Sequence, residues 1–101
     1  MGRIVLLHPN AAKEYRLAQR WYARRSLVAA QRFQESIDKV IERLETAAEQ
    51  GTPFRGHYLW MRAKRFPYYL YYEIFSPHLV WVYAVAHGRR RPGYWLRRAK
   101  T

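Results

Sequence analysis

The fold is decided by residues 58–95, YLWMRAKRFPYYLYYEIFSPHLVWVYAVAHGRRRPGYW. Along most of this stretch, mainly aliphatic or small residues alternate with aromatic or charged ones. Alternation with a period of two is typical of β-strands that have two different faces. Pro67 lies where the second strand begins, a position that tolerates proline. Residues 76–78, Ser-Pro-His, form a turn, and Pro92-Gly93 breaks the pattern. The stretch therefore predicts three strands followed by a basic tail.

Regular alternation assigns each residue of these strands to one of two faces. We expect the mainly aliphatic and small residues to pack against helices, namely Leu59, Met61, Ala63, Leu70, Tyr72, Ile74, Val80, Val82, Ala84 and Ala86. The opposite face then displays aromatic and charged residues, namely Trp60, Arg62, Lys64, Tyr69, Tyr71, Glu73, Trp81, Tyr83 and His87. A register slip of one residue would invert these faces for a whole strand.

The first half of the chain predicts one strand and two helices. Residues 3–7 form a short aliphatic run, and Pro9 favours the start of a helix, with His8 or Asn10 as its cap. Ser26 is the expected N-cap of a second helix that ends before Gly51. Apolar residues recur at helical spacing in both segments, namely at Ala11, Tyr15, Ala18 and Tyr22, and at Ala30, Phe33, Ile37, Val40, Ile41 and Leu44.

These elements predict an α+β fold in a single domain of residues 1–101. An N-terminal strand and an α-helical hairpin are expected, with the hairpin packed on one face of a small, mainly antiparallel four-stranded sheet. A basic C-terminal tail follows the sheet. No apolar run reaches the length of a membrane span, and the first residues lack the long apolar core of a signal peptide. With no cysteine present, we expect a cytoplasmic protein that does not contact a membrane.

The charge of the chain is strongly uneven. Its formal net charge is +12, and residues 51–101 contain ten of the 19 Lys and Arg but only one of the seven acidic residues, Glu73. An excess of this kind favours a polyanionic partner such as nucleic acid, an anionic surface or an acidic protein.

The sequence lacks the residues that most catalytic mechanisms need. The second half has one carboxylate and scattered histidines, so neither a metal site nor a two-metal nuclease is expected, and no cofactor motif is present. Metal-free RNA cleavage remains, because cations and proton donors suffice for it. Its candidate catalytic residues are Arg62, Lys64, His87, Arg90 and Tyr94.

The same composition is also typical of a protein interface without chemistry. An acidic, partly disordered partner could become ordered across the aromatic and basic face. Trp21 and Tyr22 alone are better explained as helix core. The candidate partner-binding residues are Trp21, Tyr22, Trp60, Tyr69, Tyr71, Trp81, Tyr83, Arg89 and Trp95.

Two segments, KRFPYYLYYEI at residues 64–74 and VAHGRRRPGYW at residues 85–95, resemble toxins of the RelE/ParE superfamily from bacterial toxin–antitoxin modules. The order of the predicted elements is similar as well. The resemblance implies a growth-inhibiting toxin that is neutralised by a cognate acidic antitoxin, and operator DNA would be bound only through that antitoxin. It implies either poisoning of DNA gyrase, as in the ParE-like branch, or metal-independent mRNA cleavage on the ribosome, as in the RelE-like branch.

The RelE-type catalytic pattern matches this chain only in part. Its basic positions on the first strand of residues 58–95 fall near Trp60 and Arg62, and its next arginine falls on Tyr69. Its later arginine and tyrosine match Arg90 and Tyr94. The resemblance therefore implies gyrase poisoning or mRNA cleavage, and a non-toxin basic nucleic-acid-binding protein is the alternative from composition alone.

Overall fold

The computed structural model of the protein describes residues 2–100. Two α-helices and five β-strands make up most of this part of the chain, and a 3-10 turn follows the second helix at Ala48–Gln50. In chain order, the main elements are β1 (Ile4–Leu7), α1 (Pro9–Ala23), α2 (Leu27–Ala47), β2 (Thr52–Phe54), β3 (Tyr58–Arg62), β4 (Tyr68–Ser76), β5 (Leu79–His87) and a C-terminal 3-10 helix (Leu96–Lys100). None of the helices within residues 2–100 has the length and apolar character needed to cross a membrane.

The strands form one mixed sheet in the order β1-β5-β4-β3-β2. β1 pairs with β5 in parallel, and the other neighbours are antiparallel. The predicted α+β class is confirmed, but the expectation of four strands was wrong. The sequence does not indicate β2 because this strand has only three residues, one of them Pro53, and so shows no alternation.

Both helices begin with side-chain caps. His8 Nδ1 accepts a hydrogen bond of 3.1 Å from the backbone N–H of Asn10, and Pro9 is the first helical residue. Ser26 Oγ accepts one of 3.2 Å from Ala29 N–H, which confirms Ser26 as the N-cap of α2. The short connection turns the two helices into an antiparallel hairpin on one face of the sheet.

The helix-covered face of the sheet holds the main core. Ala11 and Ala18 let α1 approach closely, and the periodic apolar residues of α2 fill the remaining space. Their partners on the sheet are the aliphatic residues that alternation predicts for β3 and β4. The fully buried members of this core include Phe33, Leu44, Leu70, Tyr72, Val80 and Val82.

A β-bulge reverses the faces in the second half of β5. Tyr71 pairs with Ala84 while the next residue, Tyr72, pairs with Val82, so Tyr83 is an additional residue in β5. Beyond the bulge, Val85 packs in the helix-covered core. The expectations for three residues were therefore wrong: Ala84 and Ala86 lie on the outer face, and His87 lies beside Tyr68 of the helix-covered core.

The outer face of the sheet is covered by the chain itself. The C-terminal tail, Tyr94–Lys100, folds back so that Trp95 is fully buried. The Trp95 ring lies 5.1 to 5.9 Å from the rings of Phe54, Tyr58, Tyr71 and Tyr83. The outer face is thus a second, aromatic core rather than a fully displayed surface.

Candidate functional site

A cavity of about 310 Å³ opens where β3, β4 and β5 meet the loop after β5. We call it the candidate cavity. Aromatic rings form its walls, and two arginines reach it from the loop. The side chains that matter for its chemistry are Trp60, Tyr69, His87, Arg90, Arg91 and Tyr94.

Trp60 and Tyr69 form one wall of the candidate cavity. Their ring centroids lie 5.1 Å apart at 75°, an edge-to-face contact. Arg62 is the register partner of Tyr69, and its guanidinium carbon lies 5.7 Å from the centre of that ring. By the resemblance described above, the ring pair lies at or near two positions where the RelE-type pattern would have cations, and Arg62 contributes the one charge on β3.

The loop after β5 begins with a close approach of two backbone segments. Gly88 N–H donates a 2.7 Å hydrogen bond to Pro67 O, and a Cβ at residue 88 would lie 3.2 Å from the ring of Tyr69. His87 Nδ1 accepts a 3.0 Å hydrogen bond from Arg89 N–H. His87 Nδ1 is therefore already occupied by a hydrogen bond within the loop.

Arg90 and Tyr94 face each other across the loop. The guanidinium carbon of Arg90 lies 3.8 Å from the ring centre of Tyr94, a cation–π contact. No side-chain carboxylate of residues 2–100 forms an ion pair with Arg90 or Arg91. The two arginines therefore give the candidate cavity a positive charge that suits an anionic ligand.

The hydroxyl of Tyr94 is committed to a hydrogen bond within the protein. It donates to Glu14 Oε2 at 2.7 Å. Burial, and then this bond to a carboxylate, raise the pKa of Tyr94 well above its usual range. A hydroxyl in this state is a poor general acid, because it holds its proton and points it at Glu14.

Glu14 joins α1, β5 and the tail, although the sequence did not single it out. Its carboxylate accepts from Val85 N–H at 3.0 Å, from Tyr94, and from both terminal nitrogens of Arg98 at 2.9 and 3.0 Å. Arg98 also donates to Tyr83 O at 2.9 Å. These bonds pair the backbone N–H of Val85 and the carbonyl of Tyr83 at the edge of β5, beyond the end of β1. The available signal was an acidic residue between Ala11 and Ala18 on the apolar side of α1.

The structure brings together three of the five predicted catalytic residues. His87, Arg90 and Tyr94 line the candidate cavity. Arg62 does not line it but lies next to Tyr69, which does. Lys64 does not: it lies beyond β3 in a groove against α2. Its expected place on the outer face was therefore wrong, because β3 ends at Arg62 and the chain turns there.

The predicted partner-binding residues fall into separate environments. Tyr83 and Trp95 are buried beneath the tail. Tyr22 contacts Phe33 and Phe66 in the helix-covered core, whereas the neighbouring Trp21 is 48% exposed. Arg89 is exposed, and the remaining members are half-buried, namely Trp60, Tyr69, Tyr71 and Trp81.

Metal chemistry finds no support in the described residues. Within residues 2–100, no three His, Asp or Glu side chains lie close enough together to hold a metal ion. What the candidate cavity offers is aromatic surface and positive charge.

A family model described as the ParE toxin of the type II toxin–antitoxin system parDE matches residues 5–92. The match spans both helices, all five strands and the loop that carries Arg90. A search of curated proteins finds no match to the chain.

Proposed function

The chain belongs to the ParE toxin family of type II toxin–antitoxin systems, and from this premise we propose that it inhibits growth by poisoning DNA gyrase. Membership of the family also implies a cognate antitoxin as its partner. The non-toxin alternative, a basic nucleic-acid-binding protein, is less well supported because the family match covers residues 5–92, which include most of the fold and every residue lining the candidate cavity except Tyr94.

The observation that carries this proposal is the contact between Trp60 and Tyr69. Metal-free RNA cleavage needs cations next to the phosphate on which charge develops. Here an aromatic pair with centroids 5.1 Å apart lies at or near two of the positions where the RelE-type pattern would have basic residues. The hydroxyl of Tyr94 is in addition bonded to Glu14. This cavity favours binding over phosphate chemistry.

A supercoiling assay tests gyrase poisoning directly. Purified toxin, gyrase and relaxed plasmid are combined, and we expect loss of supercoiling together with linear plasmid after denaturation of the trapped enzyme. Prior addition of the cognate antitoxin should restore supercoiling. Normal supercoiling at excess toxin would exclude gyrase as the target.

A second candidate function is metal-independent, ribosome-dependent mRNA cleavage. The observation in its favour is that Arg90 and His87 line one cavity whose aromatic walls could hold an unstacked base. If this function is present, Arg90→Ala should reduce mRNA cleavage at least about 100-fold, because a transition-state cation is removed. Arg16→Ala, which removes a cation of α1 away from the candidate cavity, is the control.

Primer extension on ribosome-bound mRNA measures this effect, and circular dichroism checks that the variants remain folded. Unchanged cleavage by Arg90→Ala would remove this arginine from the site. Absence of cleavage by the unmodified toxin, with gyrase inhibited, would leave the first proposal alone.

We further propose that the cognate antitoxin is acidic and covers the accessible part of the predicted partner-binding set. Trp21 on α1 and Trp60 and Tyr69 at the candidate cavity are exposed or half-buried members with large rings. Co-expression with the antitoxin should yield a stable complex and rescue growth. A Trp21→Ala toxin should bind it more weakly, because exposed aromatic anchors dominate interface energies.

A further inference from the structure

A second cationic feature lies apart from the candidate cavity. A groove of about 580 Å³ runs between the first half of α2 and the turn that joins β3 to β4. It shares no lining residue with the candidate cavity. We call it the cationic groove after four side chains that line it: Arg32 and Lys39 from α2, and Lys64 and Arg65 from the turn.

The four cations have little to neutralise them. Glu35 is the one acidic residue that lines the groove, and no side-chain carboxylate of residues 2–100 forms an ion pair with any of the four. Like charges around one groove repel each other, and an anion placed between them removes that cost. The groove therefore has the electrostatics of a site for a multiply charged anion.

A partly buried hydrogen bond connects the two sides of the groove. Ser36, a buried residue of α2, donates from Oγ to Lys64 O at 2.8 Å. This bond fixes the turn against α2. Arg65 has a φ of 70°, a left-handed conformation that is unfavourable for an arginine. The turn thus holds two cations opposite those of α2.

The amino end of α2 lies at the same groove. Ser26, Val28 and Ala29 line it, and Ser26 is the N-cap of this 21-residue helix. The free N–H groups and the dipole of a helix N-terminus attract phosphate groups. Ala29 N–H is already bonded to Ser26 Oγ, so this helix end adds chiefly its dipole to the charge of the four side chains.

We propose that the cationic groove binds the phosphodiester backbone of a nucleic acid. Phosphate contacts in such complexes come from Lys, Arg and helix N-termini, which are the groups assembled here. A protein segment is a poorer fit, since protein interfaces are depleted in lysine and depend on a buried apolar anchor. Val28, which is exposed, and Phe66, which is half-buried, are the two apolar side chains larger than alanine that line the groove. This binding is independent of whether gyrase or mRNA is the target.

Fluorescence anisotropy with two labelled probes tests the proposal. A DNA duplex of about 20 base pairs and a single-stranded RNA of about 20 nucleotides are titrated with folded toxin between about 50 and 200 mM KCl. The groove variant combines Arg32→Gln, Lys39→Gln, Lys64→Gln and Arg65→Asn. The control variant removes the same formal charge from α1 and its C-terminal end with Lys13→Gln, Arg16→Gln, Arg20→Gln and Arg24→Gln.

We expect the groove variant to bind duplex DNA at least about tenfold more weakly at the lowest salt concentration. The slope of log K against log salt is negative. Its magnitude should decrease by roughly 0.9 for each phosphate that the variant no longer neutralises, or by about 3 to 4 in all. The control variant should change that slope by less than about 1. A larger effect on the RNA probe than on the duplex would identify RNA as the source of the phosphates.

Three outcomes would overturn the proposal. One is an equal decrease of binding in both variants, which would mean that affinity follows net charge alone. Another is the absence of salt-dependent binding by the unmodified toxin at the lowest salt concentration. The third is a groove variant that keeps its affinity for both probes but no longer binds the antitoxin, which would make the groove a protein-docking surface.

Discussion

On the helix-covered face of the sheet, many aliphatic side chains share the burial, whereas on the outer face the tail buries one large residue, Trp95. The first core is continuous with α2, whose periodic apolar residues reach into it over several turns. The second core is closed by a short segment in which Trp95 is fully buried and Tyr94, Leu96 and Ala99 pack beside it. Tyr94 and Arg98 connect that segment to Glu14 on α1.

The difference between the two faces shows how a small domain covers both faces of a sheet when its two helices cover only one of them. Burial of apolar area stabilises the helix-covered face without any single indispensable residue. The outer face depends on one ring and on one carboxylate with several donors. Substitutions of single residues should therefore affect the outer face at least as strongly as the helix-covered face.

The largest effect is expected from Trp95→Ala. This substitution empties a fully buried site between four aromatic rings and should lower the free energy of unfolding by about 3–5 kcal/mol. Urea denaturation followed by circular dichroism measures the change. Phe33→Ala is the matched variant on the helix-covered face, and we expect a decrease of similar size.

Trp95→Phe tests whether the contribution of Trp95 comes from the burial of its ring or from a polar contact of its indole N–H. The indole Nε1 has no hydrogen-bond acceptor among residues 2–100, so phenylalanine reduces the packing volume without removing a hydrogen bond. We expect the free energy of unfolding to fall by about 1–2 kcal/mol. A decrease below about 1 kcal/mol for Trp95→Ala would mean that the outer face is not a core.

Glu14→Gln should have the next largest effect. Gln retains the shape of the side chain but removes the charge of Glu14 that faces the Arg98 guanidinium, and charged hydrogen bonds of this kind contribute about 1.5–3 kcal/mol. We expect a decrease of about 2–3 kcal/mol in urea denaturation and a changed near-ultraviolet spectrum as the packing around Trp95 loosens. Glu35→Gln, which is exposed on α2, should be neutral. Equal effects of the two variants would contradict a special role for Glu14.

Alkaline pH should lower the free energy of unfolding gradually and by a smaller amount, through buried tyrosines on both faces. Burial raises the pKa of Tyr72 on the helix-covered face to about 12, and it raises the pKa of Tyr83 on the outer face in the same direction. Below about pH 10 the tyrosines are protonated in the folded and unfolded chains alike. Above it the unfolded chain loses protons that the folded chain keeps, so stability falls as pH rises.

For Tyr72 the expected slope is about 1.4 kcal/mol per pH unit between about pH 10 and 12. Urea denaturation at several alkaline pH values measures this slope, and Tyr72→Phe should reduce it by that amount. An unchanged slope in Tyr72→Phe would show that this tyrosine does not retain its proton in the folded chain.

The sequence predicted most of the helix-covered face and less of the outer one. The period of α2 and the alternation in β3 and β4 are local patterns, and they place the core residues of these elements on the expected face. Alternation failed at Tyr83, because one inserted residue reverses every later position of β5. β2 was too short to show any pattern.

The candidate cavity was likewise predictable in part. Arg90, His87 and Tyr94 are close in sequence, so the loop that follows a strand was bound to keep them together. Lys64 was misplaced because the turn after β3 leaves the plane of the sheet. Glu14 was missed because its partners Val85, Tyr94 and Arg98 are 71 or more residues away in sequence.

By itself, the sequence determined the α+β class, the helical hairpin, the excess of positive charge and the resemblance to a toxin superfamily. The first three follow from local periodicity and composition, which each segment carries independently of the others, and the resemblance rests on the segments at residues 64–74 and 85–95. Only the tertiary structure decided that the aromatic face is closed by Trp95 and that Tyr94 is bound to Glu14. It also decided that Lys64 belongs to a separate cationic groove. The physical reason is that each of these results depends on contacts between distant segments, which no local pattern encodes.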